Sequence, residues 1–317
     1  MAQKNLVRRA RRTETLFYIS VVAIPVINFI VLQFYVNYID VFLFSIKKYD
    51  YSTATYRFTS DVFYNFRNFF HETTTDPRWK SALWVTFKGY LVGWIVDIPI
   101  SIVIPYFICK KYFGSKFFKF ILMMPQMISS MVWTLIYLNF TENALVVLFN
   151  WEMGPISNPS TRWITMQIKS TWIGVAGSML MYTGIFSGVS DAVIDAGKID
   201  GLKPFGELWH VYMPTLYPIF SVGVVGGIAG LFAGYAGTLE MFGYDASQEV
   251  AGVGYLLFIR IMKGGGVDSY GFNAAGSIFF TLVVLPVAMF VKWLLGRVGP
   301  TEDTREPIKF PWRRKMI

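Results

Sequence analysis

The sequence predicts an all-α integral membrane protein with six transmembrane helices and both termini in the cytoplasm. Of its 317 residues, 54% are hydrophobic and only 15% are charged, whereas soluble domains carry about 25% charged residues. The uncharged residues are gathered into long runs. Most Lys and Arg residues lie at the ends of those runs, which is typical of a chain whose main solvent is lipid.

The runs themselves predict the spans, because about 20 helical residues cross a hydrocarbon core of roughly 30 Å. Five runs contain no Asp, Glu, Lys or Arg, and a sixth is interrupted only by Asp97. The first run is too long, and lacks the following small-residue cleavage site, for a removed signal peptide, so we expect a retained anchor. The predicted spans are 15–39, 89–108, 120–141, 170–190, 208–239 and 269–291.

The basic residues of the connections predict the orientation. Nine Lys and Arg residues fall in the connections on one side, 40–82, 140–163 and 240–273. Eighteen fall in the segments on the other side, 1–15, 109–119, 188–208 and 292–317. Cytoplasmic connections are enriched in Lys and Arg, so the second set is expected to be cytoplasmic.

The predicted domains are a basic cytoplasmic N-terminus over 1–15, a membrane domain over 16–296 and a cytoplasmic tail over 297–317. The net charge of +9 does not indicate nucleic-acid binding, because the basic residues flank apolar runs. The single cysteine, Cys109, excludes an internal disulfide and a multi-cysteine metal site. No Gly-x4-Gly-Lys-Ser/Thr phosphate loop is present, so the chain is not expected to bind ATP in that way.

The cytoplasmic connection 188–208 predicts a helical elbow. A short helix is expected from Ser190 or Asp191, either of which suits an N-cap. Gly201, shortly before Lys203-Pro204, is expected to end that helix. A second helix then begins near Phe205. Three apolar side chains are expected to pin the elbow against the membrane helices: Phe205, Leu208 and Trp209.

The most specific motif of the chain lies in this elbow. It runs Asp195-Ala196-Gly197, three residues, Gly201, nine residues, Val211-Tyr212-Met213-Pro214. It resembles the signature loop of permease subunits of bacterial type I ABC importers, in the carbohydrate-uptake, maltose-permease-like family. The family pattern is Glu-Ala-Ala, three residues, Gly, nine residues, Ile-x-Leu-Pro. The spacing matches throughout, and four positions differ conservatively.

The resemblance implies the fold and partners of such a permease. In that family the loop helix docks in a groove of an ATPase subunit, and closure of the ATPase dimer moves the permease halves. The chain would then be a non-catalytic transport subunit with no cofactor of its own, ATP and Mg being bound by the ATPase. The implied coupling residues are Asp191, Asp195, Ala196, Gly197, Asp200, Gly201 and Pro214.

Shorter motifs extend the resemblance along the chain. Trp172-Ile173-Gly174 lies 23 residues before Asp195, as a Trp-x-Gly does in maltose-type permeases. Gly264-Gly265-Gly266, followed by 270–275, resembles the glycine loop and Gly-x-x-Ala-Ala start of the final helix of that family. Phe117-Phe118 before Met124-Pro125 resembles the start of its third core helix.

Glycines of the fifth predicted span suggest a transport path. They lie three and four residues apart, which predicts one helical stripe, at 223, 226, 227, 230, 234 and 237. The stripe serves either close helix packing or room for a bulky solute, as in the resembled family. Sugar recognition needs aromatic faces and a few hydrogen-bonding groups in a cleft.

The candidate pathway residues follow from these requirements and from the resemblance. Those suggested by the residues themselves are Tyr182, Gly227, Gly230, Gly234, Tyr235, Glu240 and Phe242, with Trp133, Tyr137 and Asn139 on the third span. Those at spacings where the resembled family places cavity residues are Ser170, Ile173, Gly174 and Gly177.

Asp97 is the only acidic residue inside a predicted span. A charged group at mid-bilayer costs about 2.5–3.5 kcal/mol on insertion scales, so Asp97 should face protein, water or a partner. Pairing with Lys88 or with a second permease is one interpretation. A proton or sodium site of an ion-coupled secondary carrier is another.

The sequence therefore predicts a subunit of the bacterial cytoplasmic membrane that imports a sugar or oligosaccharide. Its expected partners are a second homologous permease, an ATPase dimer and an extracytoplasmic solute-binding protein. A polyamine, osmolyte or other small solute is the alternative within the same architecture. An ion-coupled carrier and a membrane enzyme are the alternatives from other classes.

Overall fold

A computed structural model describes residues 17–58, 60–263, 266 and 268–299. The predicted N-terminal segment 1–15 and nearly all of the predicted tail lie outside these residues. The chain divides into two units, one formed by residues up to Glu72 with 264–279, the other by 73–263 and residues from Phe280 onward.

The first unit contains a helix, a hairpin and the start of a second helix. Helix α1 covers 17–46 and is π-helical over Phe29–Asp40. Strands β1 (Lys47–Asp50) and β2 (Thr55–Phe58) pair antiparallel, with Lys47 opposite Phe58. The Asp50 carboxylate accepts hydrogen bonds from the backbone and hydroxyl of Ser52, which closes the turn and lowers the pKa of Asp50. This hairpin corrects the prediction of an all-α chain.

Helix α2 (Tyr64–Thr75) is tied to the preceding segment by Asn65. The Asn65 amide donates to the carbonyl oxygens of Ser45 and Lys47, at 2.9 and 2.8 Å. The buried ring of Phe69 packs edge to face on Phe272, with ring centroids 5.2 Å apart. The connection 40–82 thus contains an ordered hairpin and helix with aromatic packing.

The second unit consists of helices, several of which contain a π-helical turn. Long apolar helices alternate with short connecting ones along this unit. Two helices, α2 and the last described helix of the chain, begin in the first unit and continue into the second. The remaining helices are α3 (Pro77–Cys109), α4 (Ser115–Met127), α5 (Ser130–Phe149), α6 (Pro159–Ser187), α7 (Asp191–Ile199), α8 (Pro204–Ala229), α9 (Ala236–Phe242), α10 (Val253–Met262) and α11 (Asp268–Val298).

Among the described residues, four helices are long and apolar enough to cross a membrane: α3, α5, α8 and the 269–298 part of α11. A fifth candidate is the pair of α6 and α7, which is bent by 79°. Within α1, the helix Phe17–Val31 is apolar but shorter than these candidate spans. The chain is thus mainly helical with four or five candidate spans, and the count of six and the side of the termini stay predictions.

Two predicted spans are interrupted. The run 120–141 is divided at Ile128 and Ser129, whose extended backbone separates α4 from α5. The run 208–239 ends as a helix at Ala229, with Gly230 at the C-cap. Glycine is about 1 kcal/mol less favourable than Ala in a helix, so a glycine-rich apolar run is easily broken.

Helix α6 begins earlier than the predicted fourth span. The side chain of Asn158 accepts a hydrogen bond from the backbone N–H of Ser160 at 3.0 Å, and Pro159 occupies the first turn. Asn158-Pro159 is therefore the start of a helix. Consequently Lys169, which bounded the predicted span, lies in the middle of a 29-residue helix.

Candidate functional site

The predicted elbow is present as a helix, a glycine break and a second helix. α7 starts after Ser190, whose extended backbone occupies the N-cap position, and ends at Ile199. Gly201 has φ +77°, and a Cβ on it would meet no atom within 4 Å. Glycine is therefore needed at Gly201 for its left-handed backbone and not for lack of space. α8 then begins at Pro204.

The implied coupling residues form an exposed surface on the elbow. Gly197 is the exception, since it is buried and a Cβ there would lie 3.1 Å from the side chain of Leu202. Asp195 accepts a hydrogen bond from Lys198 at 2.8 Å, which raises the pKa of Lys198. The exposed members are Asp191, Asp195, Ala196, Asp200, Gly201 and, on α8, Pro214.

The expected apolar anchors of the elbow are only partly correct. Leu208 is buried, whereas the rings of Phe205 and Trp209 stack on each other and are 77% and 49% exposed. Residues four apart share one face of a helix, and this face points away from the rest of the unit. Leu208 instead joins a cluster with aromatic residues of α3, α6 and α8, namely Tyr106, Tyr182, Phe186 and Tyr212.

A buried ion pair joins the elbow to the end of α3. Lys110 Nζ donates to Glu207 Oε1, and the two side chains are 17% and 7% exposed. The Tyr106 hydroxyl lies 3.4 Å from Glu207 Oε2, so both carboxylate oxygens have partners. Lys110 also lies within 6 Å of the ring centroids of Tyr106 and Tyr212. The first turn of α8 is therefore held to α3 by charge and by aromatic packing.

The second region is a cavity of about 400 Å³ between α6 and the segment that joins α8 to α9. This volume falls in the range of small-molecule sites. Three predicted pathway residues line it: Ser170, Gly234 and Tyr235. The Tyr235 ring stacks on Phe258, with centroids 4.5 Å apart. The other residues that line the cavity are Met166, Ala233, Ala236, Gly237 and Thr238.

The other pathway candidates lie elsewhere. Tyr182 is buried in the cluster beside the elbow. Tyr137 donates its hydroxyl to the Thr165 carbonyl at 2.7 Å, and Trp133 packs edge to face on Trp172. Phe242 packs against a buried cluster. Exposed candidates outside the cavity lining are Asn139, Gly174, Gly177, Gly227 and Gly230, and Ile173 is half-buried.

The prediction of a single glycine stripe is wrong. The first three glycines lie on α8, Gly230 caps it, Gly234 lies in the connection and Gly237 lies on α9. A Cβ on Gly226, Gly227 or Gly234 would meet no atom within 4 Å. These glycines therefore border open space, and close packing within the described chain does not require them.

A polar cluster behind the cavity was not predicted as a unit. Glu240 Oε2 accepts from Lys169 Nζ at 3.3 Å, and Oε1 accepts from Ser130 at 2.7 Å. Thr134 contacts both charged groups. Lys169 is 2% exposed and Glu240 is 21% exposed. The cluster fixes α9 against α5 and α6, so Glu240 positions the cavity wall rather than lining it.

The one sequence signal for this cluster was the helix start at Asn158-Pro159. It extends the helix through Lys169 and places that lysine inside a candidate span, where a charged group needs a partner.

The cavity wall also depends on Gly254 at the start of α10. A Cβ on this buried glycine would lie 2.7 Å from the carbonyl oxygens of Phe232 and Gly234. Backbone atoms cannot rotate away as side chains do, so only glycine fits beneath this segment.

Asp97 does not pair with Lys88. Its carboxylate accepts a hydrogen bond from Thr171 at 2.6 Å, and the Lys88 ammonium lies 3.6 Å from the ring centroid of Trp163. The short, polar Thr171 faces Asp97 across the contact between α3 and α6, whereas Lys88 lies more than two turns away along α3. Within the described chain, no three His, Cys, Asp or Glu residues group as a metal site.

Comparison with known proteins completes this description. No protein-family profile matches the chain. The chain is 24% identical, over 70% of its length and 73% of the relative, to the arabinooligosaccharides transport system permease protein AraP of Bacillus subtilis. It is 22% identical, over 75% of its length and 86% of the relative, to the multiple sugar-binding transport system permease protein MsmF of Streptococcus mutans.

The fold is also that of a known transporter chain. A chain from the crystal structure of a bacterial ABC transporter involved in the import of the acidic polysaccharide alginate superposes with a TM-score of 0.71. The match covers 93% of this chain and 99% of that chain at 14% identity. The relatives are transport permeases, which confirms the prediction of a non-enzymatic transport subunit. In sequence the chain is thus similar to permeases of sugar transport systems, and in fold to a chain of an ABC transporter.

Proposed function

We propose that the chain forms the translocation pathway for a sugar or oligosaccharide in an ATP-driven importer of the bacterial cytoplasmic membrane. The observation that carries the proposal is the exposed elbow, whose motif has the spacing of the ABC permease signature and whose Gly201 has the positive φ that favours glycine. The sugar permeases among the relatives support the class of solute.

The proposed topology has six spans and cytoplasmic termini. The spans would be α1, α3, the broken pair α4–α5, α6, α8 and α11. This arrangement puts the elbow and the 109–119 turn on the side that is richer in Lys and Arg. The hairpin, the 150–158 connection and the 243–263 segment would then face the solute-binding protein.

The elbow is the proposed contact with the ATPase, which would carry ATP and Mg. Its exposed face offers carboxylates at Asp191, Asp195 and Asp200 and the stacked rings of Phe205 and Trp209. The Lys110–Glu207 pair and the Tyr106–Tyr212 contact join the elbow to the membrane helices. A push on α7 and α8 would therefore move the cytoplasmic end of α3 without first deforming the elbow.

The cavity is the proposed sugar path on this chain. Tyr235 offers an aromatic edge beside the hydroxyl groups of Ser170 and Thr238, which suits a ring with alternating apolar faces and hydroxyls. Its lining residues carry no charge. Since Lys169 and Glu240 satisfy each other behind the wall, an uncharged sugar fits this chain better than a polyamine or an acidic solute.

The test of coupling is purification of the tagged chain from its host in mild detergent, with identification of the co-purifying proteins. Wild type should retain an ATPase, a second permease and a binding protein. Gly201→Asp should lose the ATPase and retain the second permease, because the change is confined to the elbow. Gly243→Asp is the matched control, since Gly243 also has a positive φ and open space around it.

Absence of an ATPase from the wild-type complex, or equal loss in both variants, would refute the coupling role. Uptake of labelled oligosaccharides then tests the solute. Transport that stops on ATP depletion supports the proposal. Transport that survives ATP depletion and collapses with the ion gradient would favour the ion-coupled carrier instead.

A further inference from the structure

The turn between α3 and α4 carries an unbalanced positive charge. Residues 98–141 contain four lysines and no Asp or Glu. Lys110 is neutralised by Glu207. The other three have no acidic partner within the described part of the chain: Lys111, Lys116 and Lys119.

These three lysines line one cavity. Its volume is about 440 Å³, and its wall includes Ile108, Tyr112 and Ser115. Lys111 and Gly114 both have positive φ, +53° and +81°, which bends the chain tightly between the helices. A lysine with positive φ is uncommon and costs backbone energy. Such strained residues are concentrated at functional sites, which favours a function for this turn.

The first turn of α4 adds to the positive potential. This helix has 13 residues and no acidic residue in its first turn, so its N-terminal dipole is not offset there. The N–H of Ser115 donates to the Tyr112 carbonyl. The N–H groups that follow it belong to the unpaired first turn of a helix, where anions are commonly held.

The flank of the cavity is apolar and exposed. Phe117 lines it and is 65% exposed, and Phe118 and Phe120 follow on α4 with more than half of their surface exposed. Phe113, at the tip of the turn, is fully exposed. A basic pocket bordered by exposed aromatic side chains at the end of a membrane helix matches an amphiphile better than a freely soluble anion.

We infer that this pocket binds the phosphate headgroup of an anionic phospholipid, whose acyl chains lie along the exposed phenylalanines of α4. Lys111, Lys116 and Lys119 pair with the phosphate, and the helix N-terminus faces it. This assignment is independent of the transported solute and of the ATPase contact, so it stands or falls separately from the proposed function.

The test compares lipid retention by the purified complex in lipid nanodiscs. The discs contain phosphatidylcholine alone or mixed with phosphatidylglycerol, and retained lipids are identified by native mass spectrometry. The variants change the three lysines together, to Gln or to Arg. Each lysine near an anionic surface contributes about fivefold in affinity, so the Gln variant should bind phosphatidylglycerol roughly a hundredfold more weakly. The Arg variant keeps the charge and should retain the lipid.

The control removes the same charge elsewhere, with Lys47, Lys48 and Lys80 changed to Gln. It should retain phosphatidylglycerol as wild type does. If the variant with Gln at positions 111, 116 and 119 retains phosphatidylglycerol, or if the control loses it equally, the proposed site is wrong. Displacement of the lipid by inorganic phosphate alone would overturn the assignment to a lipid. If the triple Gln variant does not fold, the single variants Lys116→Gln and Lys119→Gln should each show about a fivefold loss.

Discussion

The elbow and the cavity wall are built from the same two components, a buried Lys–Glu pair and a required glycine, but the components work differently in each. At the elbow the acid is the more deeply buried partner, since Glu207 is 7% and Lys110 is 17% exposed. At the cavity wall the base is the more deeply buried partner, since Lys169 is 2% and Glu240 is 21% exposed. Gly201 is required for its φ, and Gly254 for its lack of a side chain.

The difference indicates how strongly each region depends on its ion pair. Lys110 is partly exposed and lies beside two tyrosine rings, so its ammonium group keeps contact with water and with the rings if the ion pair opens. Lys169 has only Thr134 and Glu240 as hydrogen-bond partners in the described chain. Breaking the ion pair is therefore expected to cost more at the cavity wall than at the elbow.

The largest effect is expected when the cavity-wall pair is broken. Glu240→Gln leaves Lys169 buried without its counter-charge, which should lower the free energy of unfolding by about 3–5 kcal/mol. The double variant Lys169→Met, Glu240→Leu should recover most of this loss, because apolar residues of similar volume replace a buried pair well. Thermal unfolding of the purified complex in detergent measures both. A double variant no more stable than the single one would contradict this explanation.

The next effect is expected at the glycine beneath the cavity wall. Gly254→Ala brings a Cβ against two carbonyl oxygens of the 232–234 segment, and such overpacking costs about 1–3 kcal/mol. The displaced wall should also weaken solute binding. Gly227→Ala is the matched control, since its Cβ meets nothing within 4 Å and alanine favours a helix. Equal losses of stability and binding in both variants would show that the contact is unimportant.

A smaller loss of stability is expected at the elbow. Glu207→Gln removes the charge opposite Lys110, but Lys110 is 17% exposed whereas Lys169 is 2% exposed, so only about 1–2 kcal/mol should be lost. The functional effect should be larger than the loss of stability suggests. ATP hydrolysis should continue with reduced transport, because the elbow no longer moves α3 firmly. The exchanged pair Lys110→Glu, Glu207→Lys should restore the coupling between ATP hydrolysis and transport. Normal coupling in Glu207→Gln would contradict the role of the ion pair as a joint.

The smallest effect is expected at the exposed pair of Lys198 and Asp195. Its side chains are 59% and 64% exposed, and such pairs contribute little. The raised pKa of Lys198 means that its contribution is complete below the unfolded value of about 10.4 and is lost only as the pH rises through the folded value. Because the pair is exposed, Lys198→Gln should change thermal stability only slightly, and by the same amount throughout the neutral pH range. A pH-dependent change near neutrality would contradict this assignment.

Much of the fold was predictable because lipid solubility is determined by local composition. Runs without charged residues predicted α6, α8 and α11, and a run interrupted only by Asp97 predicted α3, all within a few turns of their ends. The elbow was predictable to the residue at Gly201, because a glycine before Lys203-Pro204 has few other local structures available. The hairpin at 47–58 was missed because its turn is closed by the side chain of Asp50, which a composition argument does not detect.

The candidate cavity was predictable only in part. Ser170, Gly234 and Tyr235 meet there, but Gly227 and Gly230 do not, because the helix that would have aligned them ends at Ala229. Glu240 was singled out from sequence as a pathway residue, and its contacts instead make it a support of the wall. Helix breaks and long-range ion pairs depend on neighbours far along the chain, and periodicity carries no information about them.

The sequence by itself predicted long apolar helices, a helix–glycine–helix elbow and a resemblance to permeases, because hydrophobic length, basic flanks and motif spacing are local properties. Only the tertiary structure decided which lysine meets which glutamate. Lys110 and Glu207 are 97 residues apart, and Lys169 and Glu240 are 71 apart. Such pairs form because a buried charge must find a counter-charge wherever packing brings one within reach.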